Sequence, residues 1–181
     1  MAEVAAREAR ALDIHIVFSP MLGLGRDPRW GRIEESYGED PYLVAALGCA
    51  FVNGLQGRGE RRFDREHVIA TAKHFVADGE PARGMNGAPV DISVHSLREL
   101  HMQPFEAVVK KARVGAIMPA HHAVNRDPCH GSCWLLRKVL REEWGFDGII
   151  VSDCLDIPKL WAFVEEGYTE LHFQHRVARD V

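Results

Sequence analysis

Gly148-Ile149-Ile150-Val151-Ser152-Asp153 is a short apolar run that follows Trp144-Gly145-Phe146-Asp147 and ends on a carboxylate. Rich in β-branched residues and opened by a glycine, it reads as a fully buried strand of a parallel sheet. Asp153 is thereby delivered to the point where strand gives way to loop. In α/β barrels the chemistry sits at the carboxyl ends of several parallel strands, so other strand ends should carry complementary groups. Three do. Residues 14–20 run into an arginine-rich loop, residues 68–75 end on Lys73-His74-Phe75, and residues 116–122 end on His121-His122.

The rest of the chain supplies helices between these strands. Residues 2–12 are rich in Ala, Glu and Arg and free of Gly and Pro, which favours a helix closed by Asp13. Pro41 is placed to open a helix with Leu43, Val44, Leu47, Phe51 and Leu55 at helical spacing and Gly57 near its end. Ser96, with Glu99 three residues on, reads as the cap of a helix that faces Leu100, Phe105, Val108 and Val109 to a core. Ser132 can cap another, with a stripe of Leu135, Leu136, Val139 and Leu140 and a stop at Gly145. Pro119 puts the end of the third strand where no ladder hydrogen bond is required. Helix and strand alternate four times, which means a parallel sheet: either an open doubly wound sheet or a barrel.

Composition narrows the class of function. At 181 residues, 46% apolar and 27% charged, the chain can bury one ordinary core. The net charge of −4 is spread without a basic block, so neither nucleic acid nor an anionic membrane is an expected partner. No apolar run approaches the roughly 18 residues of a membrane span. The opening Met1-Ala2-Glu3-Val4-Ala5-Ala6-Arg7-Glu8 is not a signal peptide in pattern. The compartment stays open, a periplasmic or secreted parent protein included, and so does the oligomeric state.

Cys49, Cys129, Cys133 and Cys154 are too scattered for a disulfide framework and read as thiols. Cys129-His130 and Cys133 lack a second half-site at usable spacing, and the ten histidines are dispersed, so no metal site and no cofactor are expected. Gly23-Leu24-Gly25 lacks the third glycine and the strand-to-helix turn of a dinucleotide fingerprint. A phosphate-handling barrel, suggested by the arginine-rich loop, lacks a glycine-rich loop opening a helix at the last strand.

Several stretches carry a resemblance: Arg26-Asp27-Pro28-Arg29-Trp30-Gly31-Arg32, Tyr37-Gly38-Glu39-Asp40-Pro41, Ala72-Lys73-His74-Phe75, Glu143-Trp144-Gly145-Phe146-Asp147-Gly148 and Val151-Ser152-Asp153. In that order and at that spacing, they resemble glycoside hydrolase family 3, the β-glucosidase and β-xylosidase family. The resemblance implies a (β/α)8-type barrel followed by a second α/β domain, a retaining mechanism, and an oligosaccharide or other β-glycoside as substrate. It matches Asp153 to the nucleophile, and Arg32, Lys73 and His74 to the residues that hydrogen-bond the sugar in the subsite where cleavage occurs. His121 and Met118, from the third strand, complete the expected substrate-binding set. A retaining enzyme needs a second carboxyl, about 5–5.5 Å from the first, to protonate the leaving oxygen. Fixed cations beside Asp153 would keep it ionised. Arg26, Asp27 and Arg29 are expected to stabilise their loop, with Asp27 paired to an arginine.

Many members of the family have tyrosine where His121 stands and tryptophan where Cys154 stands, which opens the question of substrate preference. The loop at 79–87 lacks the Asp-x-His of the β-N-acetylglucosaminidase branch. A whole barrel takes roughly 250 residues, and four strands are counted here. Residues 1–181 are therefore expected to be an incomplete family 3 barrel domain, an α/β fold without barrel closure or second domain. On that reading the parent is a retaining exo-acting β-glycosidase, and this chain alone has little activity. The alternative is a catalytically inactive sugar-binding remnant.

Overall fold

The computed structural model describes residues 1–165. Parallel strands β1 (Ile16–Val17), β2 (Ile69–Phe75) and β3 (Ala116–Pro119) are followed by a separate antiparallel ribbon, β4 (Ala123–Val124) with β5 (Asp127–Pro128). The last strand, β6 (Ile149–Ile150), returns to the first sheet, whose order is β1-β2-β3-β6. Helices alternate with these strands. They are α1 (Ala2–Ala11), α2 (Pro41–Gln56), the short α3 (Val94–Ser96) continuing through a π segment (Leu97–His101) into α4 (Gln103–Lys110), a π-helix (Trp134–Glu143), and α5 (Asp156–Glu165). Strand order never reverses, as it would at the switch point of a doubly wound sheet. The fold is α/β, an arc of a (β/α)8-type barrel. No helix among the described residues is long and apolar enough to cross a membrane.

The strands are shorter than their apolar runs, but main-chain bonding continues beyond them. Thr71 and Lys73 N–H donate to Ser19 and Pro20 carbonyls at 3.0 Å each, and Leu22 N–H donates to Lys73 O at 2.6 Å. Val151 N–H likewise reaches Ile117 O at 2.9 Å. The register pairs Ala116 with Ile149 and Lys73 with Met118, and a bulge separates Lys73 from Phe75. The strand ends therefore stand side by side. After Pro119 the chain leaves the sheet, and Asn125 and Arg126, at φ of +50° and +67°, form the two-residue turn of the β4–β5 ribbon.

Three local expectations are corrected. The last strand is expected to be fully buried, but Ile149 is 49% exposed and Ile150 only half-buried, because β6 is the edge of the sheet and lacks a neighbour on one side among the described residues. The buried face of α2 is Val44, Gly48, Val52, Leu55 and Gln56, whereas Leu43 and Leu47 are exposed. Gly48 is why: a Cβ there would lie 2.6 Å from Leu22 Cδ2, so a glycine with no apolar side chain of its own admits a neighbour's. Similarly, Ser93 rather than Ser96 caps the third helical stretch. Ser93 has extended backbone and its hydroxyl accepts from Ser96 N–H at 3.0 Å, whereas Ser96 is already helical. The other helix starts follow the sequence. Asp40 accepts from Leu43 N–H at 2.7 Å ahead of Pro41, and Ser132 Oγ accepts from Leu135 N–H at 3.1 Å.

Buried Gln56 ties the N-terminal ends of β2 and β3 together. Its Oε1 accepts from Gly115 N–H (2.7 Å) and Ala70 N–H (3.3 Å), and its Nε2 donates to Arg113 O (3.1 Å). Every polar atom of the amide is used, which is what makes its burial tolerable. At the other end of β2, fully buried Phe75 meets Phe105 and Trp144 edge-on, with centroids 5.2 and 5.6 Å away. Phe75→Ala should destabilise the fold by about 3–5 kcal/mol through lost burial and the cavity left behind. Urea denaturation followed by circular dichroism reads this directly; a change below about 1 kcal/mol would mean that the site collapses around the smaller side chain.

Candidate active site

Four strand ends bring their polar residues to one rim. Asp153 stands just past the last ladder bond of β6, in the turn before α5. Its Oδ1 accepts the N–H of Cys154 at 2.6 Å, which leaves Oδ2 facing two imidazoles: His74 Nε2 from β2 at 3.3 Å and His121 Nε2 from the segment after β3 at 3.0 Å. Burial pulls its pKa upward, but the Cys154 N–H and the charges of His121, His74 and Lys73 outweigh that. The carboxyl is held below its usual range and stays an anion at neutral pH.

Each imidazole is oriented by a second, buried carboxylate. His74 Nδ1–H donates to Asp78 Oδ2 at 2.6 Å, and His121 Nδ1–H to Asp156 Oδ2 at 2.7 Å. Burial works to raise the pKa of Asp78, but its hydrogen bond and charge interaction with His74, aided by His122 and Arg32, bring it below the usual value. Asp156 also takes Lys159 Nζ at 2.8 Å. The loop that carries Asp78 is fixed by close approach: a Cβ on Gly79 would lie 1.7 Å from Leu24 O. Gly79→Ala must therefore move the loop and with it Asp78. The expected result is a loss of the His74–Asp78 hydrogen bond with a smaller loss of stability, read by NMR of the imidazole ring protons and by thermal melting on the same sample.

Arg32 follows β1 and forms a two-point pair with Glu35, at 2.7 and 2.8 Å, while its Nη1 lies 3.5 Å from His74 Nε2. The salt bridge and the site-facing position thus coexist. Lys73, next to His74 on β2, pairs in register with Met118 on β3. Met118 itself is buried, and none of its described contacts reaches Asp153. Asp27 pairs with Arg29 through backbone N–H, Nε and Nη2, at 2.9, 3.0 and 2.8 Å, as expected of a loop clamp. That side-chain bond is the largest of the contacts that lower the Asp27 pKa to about 2.

His130, in the stretch weighed above only as a metal half-site, has a positioning part. Its Nδ1–H donates to Ala120 O at 3.0 Å and its Nε2 accepts the N–H of Asp153 at 3.2 Å. Both contacts together require the neutral ring, and burial pushes its pKa down accordingly. His130→Phe should keep the packing but release the Asp153 main chain, slowing any chemistry that Asp153 carries with little change in fold stability. Parallel loss of both would make His130 a core residue only.

Asp78, Asp156 and His130 were not identified as site residues by pattern. Asp78, four residues after His74 in a Gly-rich loop, carried the nearest usable signal. The three atoms His74 Nε2, His121 Nε2 and Asp153 Oδ2 lie within 4.8 Å of one another, a set able to hold a metal ion, although their sequence separation hid it. A cavity of about 240 Å³ lined by Asn53, Arg58, Arg61 and His67 lies by the N-terminal end of β2, away from these groups. Two of its basic side chains are already engaged, Arg61 with Asp64 and Glu66, and His67 with Asp64.

An ionised carboxylate held by two oriented imidazoles, with a guanidinium and an ammonium beside it, has the charge to attack an electrophilic carbon and the donors to bind oxygen-bearing groups around it. The glycosyl hydrolase family 3 N-terminal domain matches residues 1–171. A β-xylosidase of Formosa agariphila is 54% identical over 173 residues, covering 94% of this chain and 24% of that protein. Among solved structures, a β-glucosidase of Erythrobacter marinus superposes with a TM-score of 0.87 at 35% identity, covering 89% of this chain and 21% of its own. A β-glucosidase of Listeria innocua in complex with glucose gives 0.85 at 39% identity, covering 90% and 23%. The chain spans about a quarter of the length of the curated relative from Formosa.

Proposed function

The chain belongs to glycosyl hydrolase family 3, and from that premise we propose that it carries the nucleophile side of a retaining, exo-acting β-glycosidase of the β-xylosidase or β-glucosidase type. The observation that carries this reading is the convergence of Arg32, Lys73, His74 and His121, from three strand ends, on the Asp153 carboxylate of a fourth.

In the first step Asp153 attacks the anomeric carbon as the glycosidic oxygen departs with a proton from a general acid. Water, deprotonated by the same group, then displaces the carboxylate and restores the starting configuration. Arg32, Lys73 and His74 donate hydrogen bonds to sugar hydroxyls and hold the ring over Asp153. His121 orients the nucleophile, and Met118 packs beneath the subsite. The carboxylates described around Asp153 are already engaged: Glu35 by Arg32, Asp78 by His74, Asp156 by His121 and Lys159. The acid is therefore assigned to a group outside the described residues 1–165, and by the family resemblance to a second domain.

The test is the stereochemistry of hydrolysis. A form extended to the length of the relatives, given an aryl β-xyloside or β-glucoside, should release the β-anomer first in a proton NMR time course. Initial release of the α-anomer would mean inversion and remove Asp153 as a nucleophile. Arg32→Ala in that form should raise KM by roughly 10- to 100-fold, as expected for losing hydrogen bonds from a charged donor worth about 1.5–3 kcal/mol. An unchanged KM would place Arg32 outside the subsite.

A further inference from the structure

We propose that His74 Nε2, His121 Nε2 and Asp153 Oδ2 together form a binding site for one divalent ion of the zinc, cobalt and nickel class. Ligand atoms about 2.0–2.2 Å from a zinc ion sit roughly 3.3–3.5 Å apart at tetrahedral angles. Two edges of this triangle already measure 3.0 and 3.3 Å, and all three lie within 4.8 Å. Two imidazoles and one carboxylate leave coordination positions free for water, as in open zinc sites.

The surroundings support this more strongly than the triangle does. A metal-binding histidine characteristically gives its other N–H to a carboxylate, which fixes the tautomer and aims the free nitrogen at the ion. Both imidazoles do so here, through Asp78 and Asp156. With both Nδ1 hydrogens committed to carboxylates, the two Nε2 atoms and Oδ2 converge on one small volume, where an ion takes the place of the protons that otherwise link the imidazoles to Oδ2. Charge favours it as well. Once the ion has displaced the imidazole protons, Asp78, Asp153, Asp156 and Glu35 outnumber Arg32, Lys73 and Lys159 around the triangle, and Arg32 is drawn toward Glu35 by its two-point pair.

A bound ion would occupy the carboxylate oxygen that faces the sugar, so metal and glycoside should exclude each other. That consequence rests on the nucleophile reading; ion binding does not, and it is measured without turnover. The full chain, in a non-chelating buffer, is titrated with zinc chloride by calorimetry and with cobalt chloride by visible absorption. The expected result is one ion per chain, with cobalt d–d bands of low coordination number and no thiolate charge-transfer band. His121→Ala should abolish it, and Asp156→Asn, which keeps the ring but weakens its support, should cost roughly 10- to 100-fold in affinity. Circular dichroism shows that each variant is folded, and Cys154→Ser, removing the exposed thiol beside Asp153, should change nothing. No binding by the folded wild-type chain, a thiolate band, or equal affinity in His121→Ala or Asp156→Asn would overturn the proposal.

Discussion

Asp153→Ala, in a form of the protein extended to the length of its relatives, should lose β-glycosidase turnover by on the order of 10³-fold or more, the scale on which removal of a covalent nucleophile acts. The fold should survive, because Asp153 stands in a turn past the last ladder bond, and its Oδ1 contact is only to the adjacent N–H. Asp153→Asn should be as inactive yet retain sugar binding, since shape is kept and only the attacking charge is gone. Azide can enter the space opened in the alanine variant and displace a good leaving group from the nucleophile's face, giving the α-glycosyl azide. A β-azide, or no change of rate in Asp153→Ala, would contradict the assignment.

A second large effect is expected when the 181-residue chain is assayed alone. General acid help is worth roughly 10²–10⁴-fold, and alkoxide leaving groups of plain disaccharides depend on it most. The chain by itself should therefore hydrolyse xylobiose or cellobiose slower than the extended form by at least that margin. Aryl glycosides with acidic phenols need less help and should narrow the gap. Equal turnover of a disaccharide by both forms would mean that the acid lies within this chain. His121 would be the first to examine, since its Nδ1 is backed by Asp156.

How far the sequence foretold this arrangement depends on what each residue needs from its neighbours. Lys73, His74 and His121 stand at strand ends as read, because a parallel strand fixes where its end lies and barrel geometry then fixes which ends meet; Ile149 and Ile150 do pair as a strand, but not the fully buried one expected. Asp153 at the end of an apolar run is a local signal with a global consequence. The helix caps at Asp40 and Ser132 follow local rules and could be read in the same way. Gly48 could not, because its part in α2 is to be absent where Leu22 needs room. Ser93 could not be told from Ser96 by pattern, since both sit ahead of an apolar run and only the backbone conformation separates them.

The supporting carboxylates lie deeper. Asp78 and Asp156 depend on how two loops turn after their strands, on the Leu24 carbonyl against Gly79, and on the tight turn through Cys154. No periodicity encodes such pairings, nor does it separate Asp153 from Asp156 three residues on. In the fold the two differ plainly. Asp156 is buried and held by His121 and Lys159, while Asp153 is partly exposed with one oxygen turned toward the rim. His130 was hidden for another reason: its part is played by a ring nitrogen accepting a main-chain hydrogen bond, which no spacing rule anticipates.

The measurement that bears most directly on the whole account is covalent trapping of the nucleophile. A 2-deoxy-2-fluoro β-glycoside with a good leaving group should inactivate the extended form, because fluorine destabilises the oxocarbenium-like transition state of both steps while the leaving group lets the first proceed. Peptide mapping by mass spectrometry should then find one sugar, esterified to the carboxylate of Asp153 in the segment Val151-Ser152-Asp153, and Asp153→Asn should take up none. A label on Asp156, or on any residue outside that segment, would contradict the account.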